Sequence, residues 1–538
     1  MKILCFSVNC SYSHTSLAFP FLRAYADSDQ NHQWETVECT IKELPETTLS
    51  KLAKYKPDVL FVSCYIFNRI YVETILKRYR VIFPNVKIIA GGPEFLGNNE
   101  QILREGLYDL IMRGEGEIPA KALLANNFDG NELAGCCFID ENGTYQDSGF
   151  AEEVQELDEI PSPYQHQFVN LNKPFVQFET SRGCPNSCAF CTSSLSECVR
   201  FYSLERVKED LLFLQKAGKT DIRVLDRTFN CNPKRAIKLL QMFKNDFPEM
   251  HFHAEFDPAF LNQALKDELL SAKKGQLHLE TGLQTFSESG YNTVARKSTM
   301  SRTVEGLIFL CSLENIEVHA DLIAGLPGLS LTDLHGDILR LFELRPPEIQ
   351  LENLKLLPGT PVAQSENVQG APEPPYEILQ TDKMNFSDLM TAKEWSRLID
   401  WYYNVELLQD FFRELTLEHN SFFCDFHQFM KQRSVFGSPL TLEKRYRHLN
   451  DFIENIEISN QLKEKFICAW FLSRFSPEHG IFPAKVWKDP IPEDAKVLYG
   501  DLKQEEIRRS YKYENYYICY GKGHQRNADT KMAVFRGR

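Results

Sequence analysis

The 538-residue chain contains no run of about 18 apolar residues, the length a membrane-spanning helix needs. It has no excess of positive charge either: 60 Lys and Arg stand against 74 Asp and Glu, a net charge of −14. That argues against a broad electrostatic footprint for nucleic acid, although a locally basic groove is compatible with it. The opening residues, Met1-Lys-Ile-Leu-Cys-Phe-Ser-Val-Asn9, lack a signal-peptide cleavage pattern and read as a first strand. Cysteine is not scarce, at 15 residues. In a chain without a secretory signal these thiols imply a reducing cytoplasm, not a disulfide framework. Hydrophobic content of 43% and charged content of 25% are those of a globular protein, and the length suggests two to four domains.

Also missing is a fourth cysteine where one would be looked for. Glu179-Thr-Ser-Arg-Gly-Cys-Pro-Asn-Ser-Cys-Ala-Phe-Cys191 presents Cys184, Cys188 and Cys191 in the spacing C-x3-C-x2-C, and Cys198 is the next cysteine along. An iron–sulfur cube usually takes four cysteine ligands, so three on a tight loop suggest a [4Fe–4S] cluster with one iron open. Zinc prefers C-x2-C pairs with a distant second pair, and unrelated core thiols are the plainer alternative. The loop follows 175–180, an alternating run that reads as a strand. Parallel α/β folds place their chemistry beyond the carboxyl ends of such strands.

The first ~145 residues alternate short apolar runs at 2–8, 58–64, 87–90 and 109–112 with helical patterns, as in a doubly wound parallel sheet. The stretches after those runs are Asn9-Cys-Ser-Tyr-Ser-His14, Ser63-Cys-Tyr65, Gly91-Gly-Pro-Glu94 and Arg113-Gly-Glu-Gly-Glu117. Glycines there let backbone approach a large flat ligand and its phosphate; ordinary turn glycine is the bland reading. Residues 146–174 read as an acidic, proline-containing linker. From 175 to 365, strands at 221–226, 251–256, 276–283, 316–324 and 349–356 join the cluster strand to make six βα units, a partial (β/α)6 TIM-type barrel. Beyond 366 the patterns are mainly helical and rich in aromatics, at 392–412, 422–432, 442–456 and 460–472. Those aromatics read as core. His419, Cys424 and His427 form a weak metal pattern, and the tyrosine-rich tail of 508–538 reads as packed strands.

C-x3-C-x-aromatic-C after a strand resembles the signature of the radical S-adenosylmethionine (SAM) enzymes. That resemblance implies an open iron chelating SAM, whose reductive cleavage yields a 5′-deoxyadenosyl radical. In the matching branch, Phe190, Glu255, Gln284, Arg296, Asp321 and the loop Gly325-Leu326-Pro327 correspond to SAM-binding positions, and Leu357-Pro-Gly-Thr360 closes the barrel. The N-terminal loops resemble the cobalamin (B12)-binding domain. The implied cobalamin contacts are Asn9, Ser11, Ser63, Tyr65, Gly91, Gly92, Pro93, Glu94, Gly114, Glu115, Gly116 and Glu117. Ser11 stands where that domain carries its cobalt-ligating histidine, so cobalt without a histidine below it is expected; His14 is three residues late.

The chain is therefore similar to B12-binding radical SAM enzymes carrying an uncharacterised C-terminal helical domain. The resemblance implies methyl transfer to an unactivated carbon. The alternatives are radical rearrangement, cyclisation or ring contraction with cobalamin as cap or relay, and a non-catalytic cofactor sensor. A low-potential donor such as flavodoxin or ferredoxin is the implied partner, and the substrate stays open among small molecules, peptides and modified nucleosides.

Overall fold

The computed structural model describes residues 1–195, 198–523, 526 and 528–537. They fall into two compact units, Met1–Leu334 with Glu352–Leu389, and His335–Leu351 with Met390–Arg538.

The first unit opens with a seven-stranded sheet. Its strands are β1 (Lys2–Asn9), β2 (Gln33–Thr40), β3 (Val59–Ser63), β4 (Lys87–Gly91), β5 (Leu110–Met112), β6 (Cys136–Ile139) and β7 (Tyr145–Asp147), ordered β2-β1-β3-β4-β5-β6-β7. The first five are parallel; β6 and β7 extend the edge antiparallel. Successive residues of β1 point to opposite faces, and both faces are covered. Ile3 and Cys5 pack with Phe61, Ile89 and Leu123 on one side, Leu4, Phe6 and Val8 with Val62, Val72 and Leu76 on the other. Burial on both faces produces the continuous apolar runs of the sequence. β2 hides from that reading because three of its first four positions, Gln33, Glu35 and Thr36, are polar and exposed, as suits an edge. The order reverses between β1 and β3, the switch point where such sheets open a crevice.

Residues 148–174 are not a free tether. Val154, Leu157, Ile160, Tyr164 and Val169 are buried in the core of the following barrel, and Tyr164 Oη donates to Gln177 O at 2.8 Å.

The barrel strands are β8 (Val176–Phe178), β11 (Asp221–Val224), β12 (His251–Phe256), β13 (Leu277–Gln284), β14 (Glu317–Ala324) and β15 (Glu348–Asn353), in sequential order. Between β8 and β11, the short antiparallel pair β9 (Ser181–Arg182) and β10 (Arg200–Phe201) brackets the three-cysteine loop. Val176, Phe178, Ile222, Val224, Phe252, Ala254, Leu277, Leu279 and Val318 face the covering helices as one apolar core. The alternate positions line the interior. A hairpin, β16 (Val368–Gly370) and β17 (Ile378–Thr381), follows the barrel.

The second unit is helical to residue 472, with helices Glu406–Glu418, Phe422–Gln432, Leu442–Ile453 and Asn460–Leu472. Its core is aromatic: Phe342 stacks on Tyr403 at 4.7 Å, and Phe412, Phe423 and Phe426 pack edge-on around them. The helix expected over 392–412 is interrupted after Tyr403. Asn404 instead exchanges two hydrogen bonds with the backbone of Ile349, at 3.0 and 2.8 Å, which pulls the chain out of helical register. His427 is buried against Glu394, 2.8 Å away, and Cys424 lies 3.5 Å from His335. Each thus has a partner that explains it without a metal. Beyond the helices lies a five-stranded antiparallel sheet, β18 (Lys485–Trp487), β19 (Lys496–Gly500), β20 (Arg509–Tyr513), β21 (Tyr516–Tyr520) and β22 (Met532–Arg536), ordered β18-β20-β21-β22-β19. The C-terminal part is therefore helical and then β, and the tyrosines of the tail are its strands. Among the described residues no helix is long and apolar enough to cross a membrane.

Candidate functional site

The three-cysteine loop is held from below by one buried carboxylate. Asp226, just past β11, accepts Thr180 N–H at 2.7 Å, the Thr180 hydroxyl at 2.5 Å and Ser181 N–H at 3.0 Å. Burial pushes its carboxyl up, and these bonds oppose the shift. Gly183 then turns with φ +90°, where a Cβ would stand 2.2 Å from Cys198 O; no other residue fits. Asn186, inside the loop, donates to Asp257 at 2.9 Å, and Asp257 pairs with Arg296 at 3.0 Å. The loop is tied to the end of β12 and to the segment after β13.

Cys184, Cys188 and Cys191 are all half-buried on this loop, and Cys184 Sγ lies 3.5 Å from Thr228 Oγ1. Burial raises the Cys188 thiol to about 11, opposed by Arg296. At neutral pH such a thiol is protonated, and a bound metal centre would favour its thiolate. Three thiols of soft-donor character on one pinned loop suit an iron–sulfur centre.

The residues expected at SAM gather along the barrel's carboxyl edge. Glu255 ends β12, with its carboxyl raised to about 7 by burial and opposed by Arg227. Gln284 ends β13 at φ +74°, and its amide folds over Gly282, occupying the space a Cβ would take. Asp321 on β14 stands 3.2 Å from His319. Arg296 is committed to Asp257 and to the carbonyl of Gly282, so it acts through the loop it braces. Phe190 is half-buried on the loop itself. Gly325 has φ +81°, while the Leu326 side chain is fully buried. That turn can offer a ligand only its backbone, and the Pro327 carbonyl already accepts the Thr293 hydroxyl at 2.9 Å.

The crevice of the first sheet and the mouth of the barrel share one cavity of about 630 Å³, within the range of cofactor sites. Asn9, Tyr65, Pro93, Gly114, Glu115 and Glu117 line it from the first sheet, and Glu179, Arg182 and Arg227 from the barrel. Glycine serves the close approaches: a Cβ on Gly92, at φ +112°, would lie 2.4 Å from Cys64 O. Glycine at 92 thus lets two crevice loops pack backbone to backbone, and the cavity they border is of a size to receive part of a corrin.

Other expected contacts sit behind the wall. Ser63 is buried in its strand, and Gly91 and Gly116 lie beneath the loops. Ser11 meets His14 Nδ1 at 2.8 Å. His14 does line the cavity, edge-on to Phe175 at 5.0 Å. Burial depresses its pKa, as do Arg223 and Lys173 nearby. Glu94 is buried against Arg69 and Tyr376.

The Arg-Gly-Glu-Gly-Glu phrase has a structural role besides lining the cavity. Glu115 receives Arg200 at 2.5 Å and Arg182 at 3.2 Å; Glu117 receives Arg182 at 2.8 Å, and Arg182 also reaches Glu179 at 2.9 Å. Burial raises the Glu115 carboxyl, but the two guanidiniums outweigh it and hold it below its usual range. This ion cluster joins the fourth crevice loop to the cysteine loop. Sequence reading overlooked Arg182, Arg200, Asp226, Asp257 and Asn68, whose amide bridges Val8 O, Ser63 O and Tyr65 N–H. Each is a polar residue at or just beyond a strand, or for Asn68 at the start of a helix, with at least one partner far along the chain.

Family models match three segments: the B12 binding domain over residues 7–124, the radical SAM superfamily over 178–341, and a protein family of unknown function (DUF4080) over 367–494. The chain is 32% identical over 292 residues to an uncharacterized methyltransferase, PH0819, of Pyrococcus horikoshii, covering 52% of this chain and 63% of that protein. It is 24% identical over 384 residues to the cobalamin-dependent radical SAM methyltransferase TokK of Streptomyces tokunonensis, covering 66% and 56%. It thus spans somewhat under two thirds of the length of these relatives. The apo structure of the cobalamin-dependent S-adenosylmethionine radical enzyme OxsB superposes with a TM-score of 0.62 at 15% identity, covering 87% of this chain and 78% of that one; this likeness is one of fold. With a B12-binding sheet, a radical SAM partial barrel and a three-cysteine loop whose flanking residues Gly183 and Thr192 line their common cavity, the chain belongs to the B12-binding radical SAM proteins.

Proposed function

We propose that the protein is a cobalamin-dependent radical SAM methyltransferase acting on an unactivated carbon. The observation that carries this reading is a cavity lined on one side by the crevice loops and on the other by the two ends of the cysteine loop, Gly183 and Thr192, and the barrel residues Glu179 and Arg227. The methyltransferase names of PH0819 and TokK support it. When bound, the cofactors supply reductive cleavage of SAM to a 5′-deoxyadenosyl radical and a methyl group carried on cobalt.

The chain's own residues hold and orient. Cys184, Cys188 and Cys191 ligate a [4Fe–4S] cluster, and Glu255, Gln284, Asp321 and the Gly325 turn receive SAM along the strand ends. Asn9, Tyr65, Pro93 and Gly114 face the cobalamin. The ion cluster of Arg182, Arg200, Glu115 and Glu117 fixes the distance between the two cofactor loops, and proximity is the lever such a reaction needs. No disulfide joins any of the 15 cysteines, which supports a reducing compartment; reductive cleavage there would need a low-potential electron donor.

Anaerobic reconstitution with iron, sulfide, hydroxocobalamin and SAM tests the reading. Expected are 5′-deoxyadenosine on reduction and a product heavier by one CH2 per turnover. Alanine at any of the three cysteines should abolish both. Product of unchanged mass would favour rearrangement or cyclisation, and cofactor binding without deoxyadenosine would favour a sensor.

A further inference from the structure

In a closed barrel the interior is packed with branched apolar side chains. Here the inner face is polar across five adjacent strands, β8 and β11 to β14. In register stand Gln177, Arg223, His253 and His278, and above them Glu255, Glu280 and His319, then Asp321. Arg223, Glu255, Glu280 and His278 keep 39, 38, 32 and 30% of their side-chain surface exposed, so the chamber is open to water.

Its hydrogen bonds are directional. Arg223 has only donors, so its 3.0 Å contact makes His253 Nδ1 the acceptor. The ring proton is then on Nε2, which donates to Glu280 at 3.1 Å.

One cation stands apart. Arg227, three residues past the end of β11, lines the shared cavity with 59% of its side chain exposed. Among the described residues its guanidinium donates no hydrogen bond, and the carboxylate beside it, Glu255, is 3.8 Å away. Arg182, on the same wall, is by contrast spent on three carboxylates. The other charged wall residues of the cavity include Glu115, Glu117, Glu153 and Glu179. An anionic substrate is repelled from that side and drawn to a single guanidinium, whose planar fork suits a carboxylate or phosphate.

We propose that the substrate is a small water-soluble molecule bearing an oxyanion, anchored by Arg227 with its polar groups toward Gln177, Arg223 and His253, which SAM binding does not use, and not a polycyclic lipid or a porphyrin. This rests on the methyl-transfer reading and goes beyond it in naming the substrate class. A hydrocarbon or flat apolar ring would strip water from four charged or imidazole-bearing strands without returning a hydrogen bond, which buried polar groups do not tolerate.

The test uses reconstituted, reduced holoenzyme with SAM labelled in its methyl group. A cell extract is split into an anion-exchanger-retained aqueous pool, an unretained aqueous pool and an organic lipid–pigment extract. Label is expected in the retained pool. It should fall at least tenfold in Arg227→Gln and recover in part in Arg227→Lys, with iron content and hydroxocobalamin affinity unchanged in both. Phosphatase treatment of that pool separates a phosphate from a carboxylate anchor. Label in the organic or unretained pool, or undiminished label in Arg227→Gln, overturns the proposal. Label in no pool overturns the methyl-transfer reading and this one with it. Independently, phenylglyoxal should modify Arg227 in the full apo chain at least tenfold faster than Arg182, read by peptide mass spectrometry; equal rates would overturn Arg227 as the available anchor.

Discussion

Tyr376 Oη donates to Glu94 Oε2 at 2.8 Å, across 282 residues of sequence. Arg69 completes the contact, donating to the tyrosine hydroxyl at 2.8 Å and lying 3.4 Å from the carboxylate. Burial raises the Glu94 carboxyl, and Tyr376 and Arg69 oppose that shift. Glu94 follows the Gly91-Gly92-Pro93 turn, whose Pro93 and neighbouring Leu96 line the cavity. Further along the same loop, Gly97 packs against Gly359, 3.3 Å from where a Cβ would meet its nitrogen. The segment after the barrel thus clasps the cobalamin-side loop at two points.

Tyr376→Phe keeps the ring and removes the donor. A buried acceptor left short of a bond costs about 1–3 kcal/mol. The variant should fold and hold iron normally, while hydroxocobalamin affinity, measured by titration, weakens about tenfold. Wild-type affinity in the variant would show that the clasp does not position the loop.

The two neighbouring glycines should respond differently. A Cβ on Gly92 would sit 2.4 Å from backbone at φ +112°, whereas one on Gly91 meets the Met112 side chain at an ordinary 3.6 Å. Gly92→Ala should therefore cost at least about 2 kcal/mol in denaturant unfolding of the apo chain, and Gly91→Ala less than about 1 kcal/mol. Equal losses would mean that the loop shifts freely.

Arg182→Met leaves Glu115, Glu117 and Glu179 with one fewer cation in a largely buried setting. Removing one member of such a cluster costs about 3 kcal/mol or more. Thermal unfolding should drop by several degrees, and reconstituted iron content should fall because the same residue lies two positions before Cys184. An unchanged melting temperature would contradict the picture of a rigid spacer.

Glu255 predicts a pH dependence with a definite sign. Its folded pKa, about 7, exceeds the ordinary 4.5, so between those values the folded chain binds more protons than the unfolded one. Stability therefore falls as pH rises from about 4.5 to 7, and the loss is complete above 7. Because Glu255 keeps 38% of its side chain exposed, water screens the effect, and Glu255→Gln should raise the melting temperature of the apo chain by no more than about 1 °C at pH 8 and leave it unchanged near pH 4.5. The same shift at both pH values would place the carboxyl in an ordinary solvated setting.

The sequence alone determined whatever depends on local pattern. Continuous apolar runs announce strands buried on both faces, so β1, β3, β4 and β5 are visible, and the period of β12 through β14 gives the barrel its strands. The spacing of Cys184, Cys188 and Cys191 is local too, because one loop carries all three thiols. β2 is hidden because an edge strand need not be apolar, and Asn404 breaks a helix for a partner 55 residues away.

What only the tertiary structure decided is which polar residues meet. Arg182 and Arg200 could have been solvated; burial against Glu115 and Glu117 makes them a brace. Arg227 carries the same guanidinium, yet the fold leaves it facing open cavity. Charge reaches across the chain only where packing removes the water between its ends, and no periodicity in the sequence records where that happens.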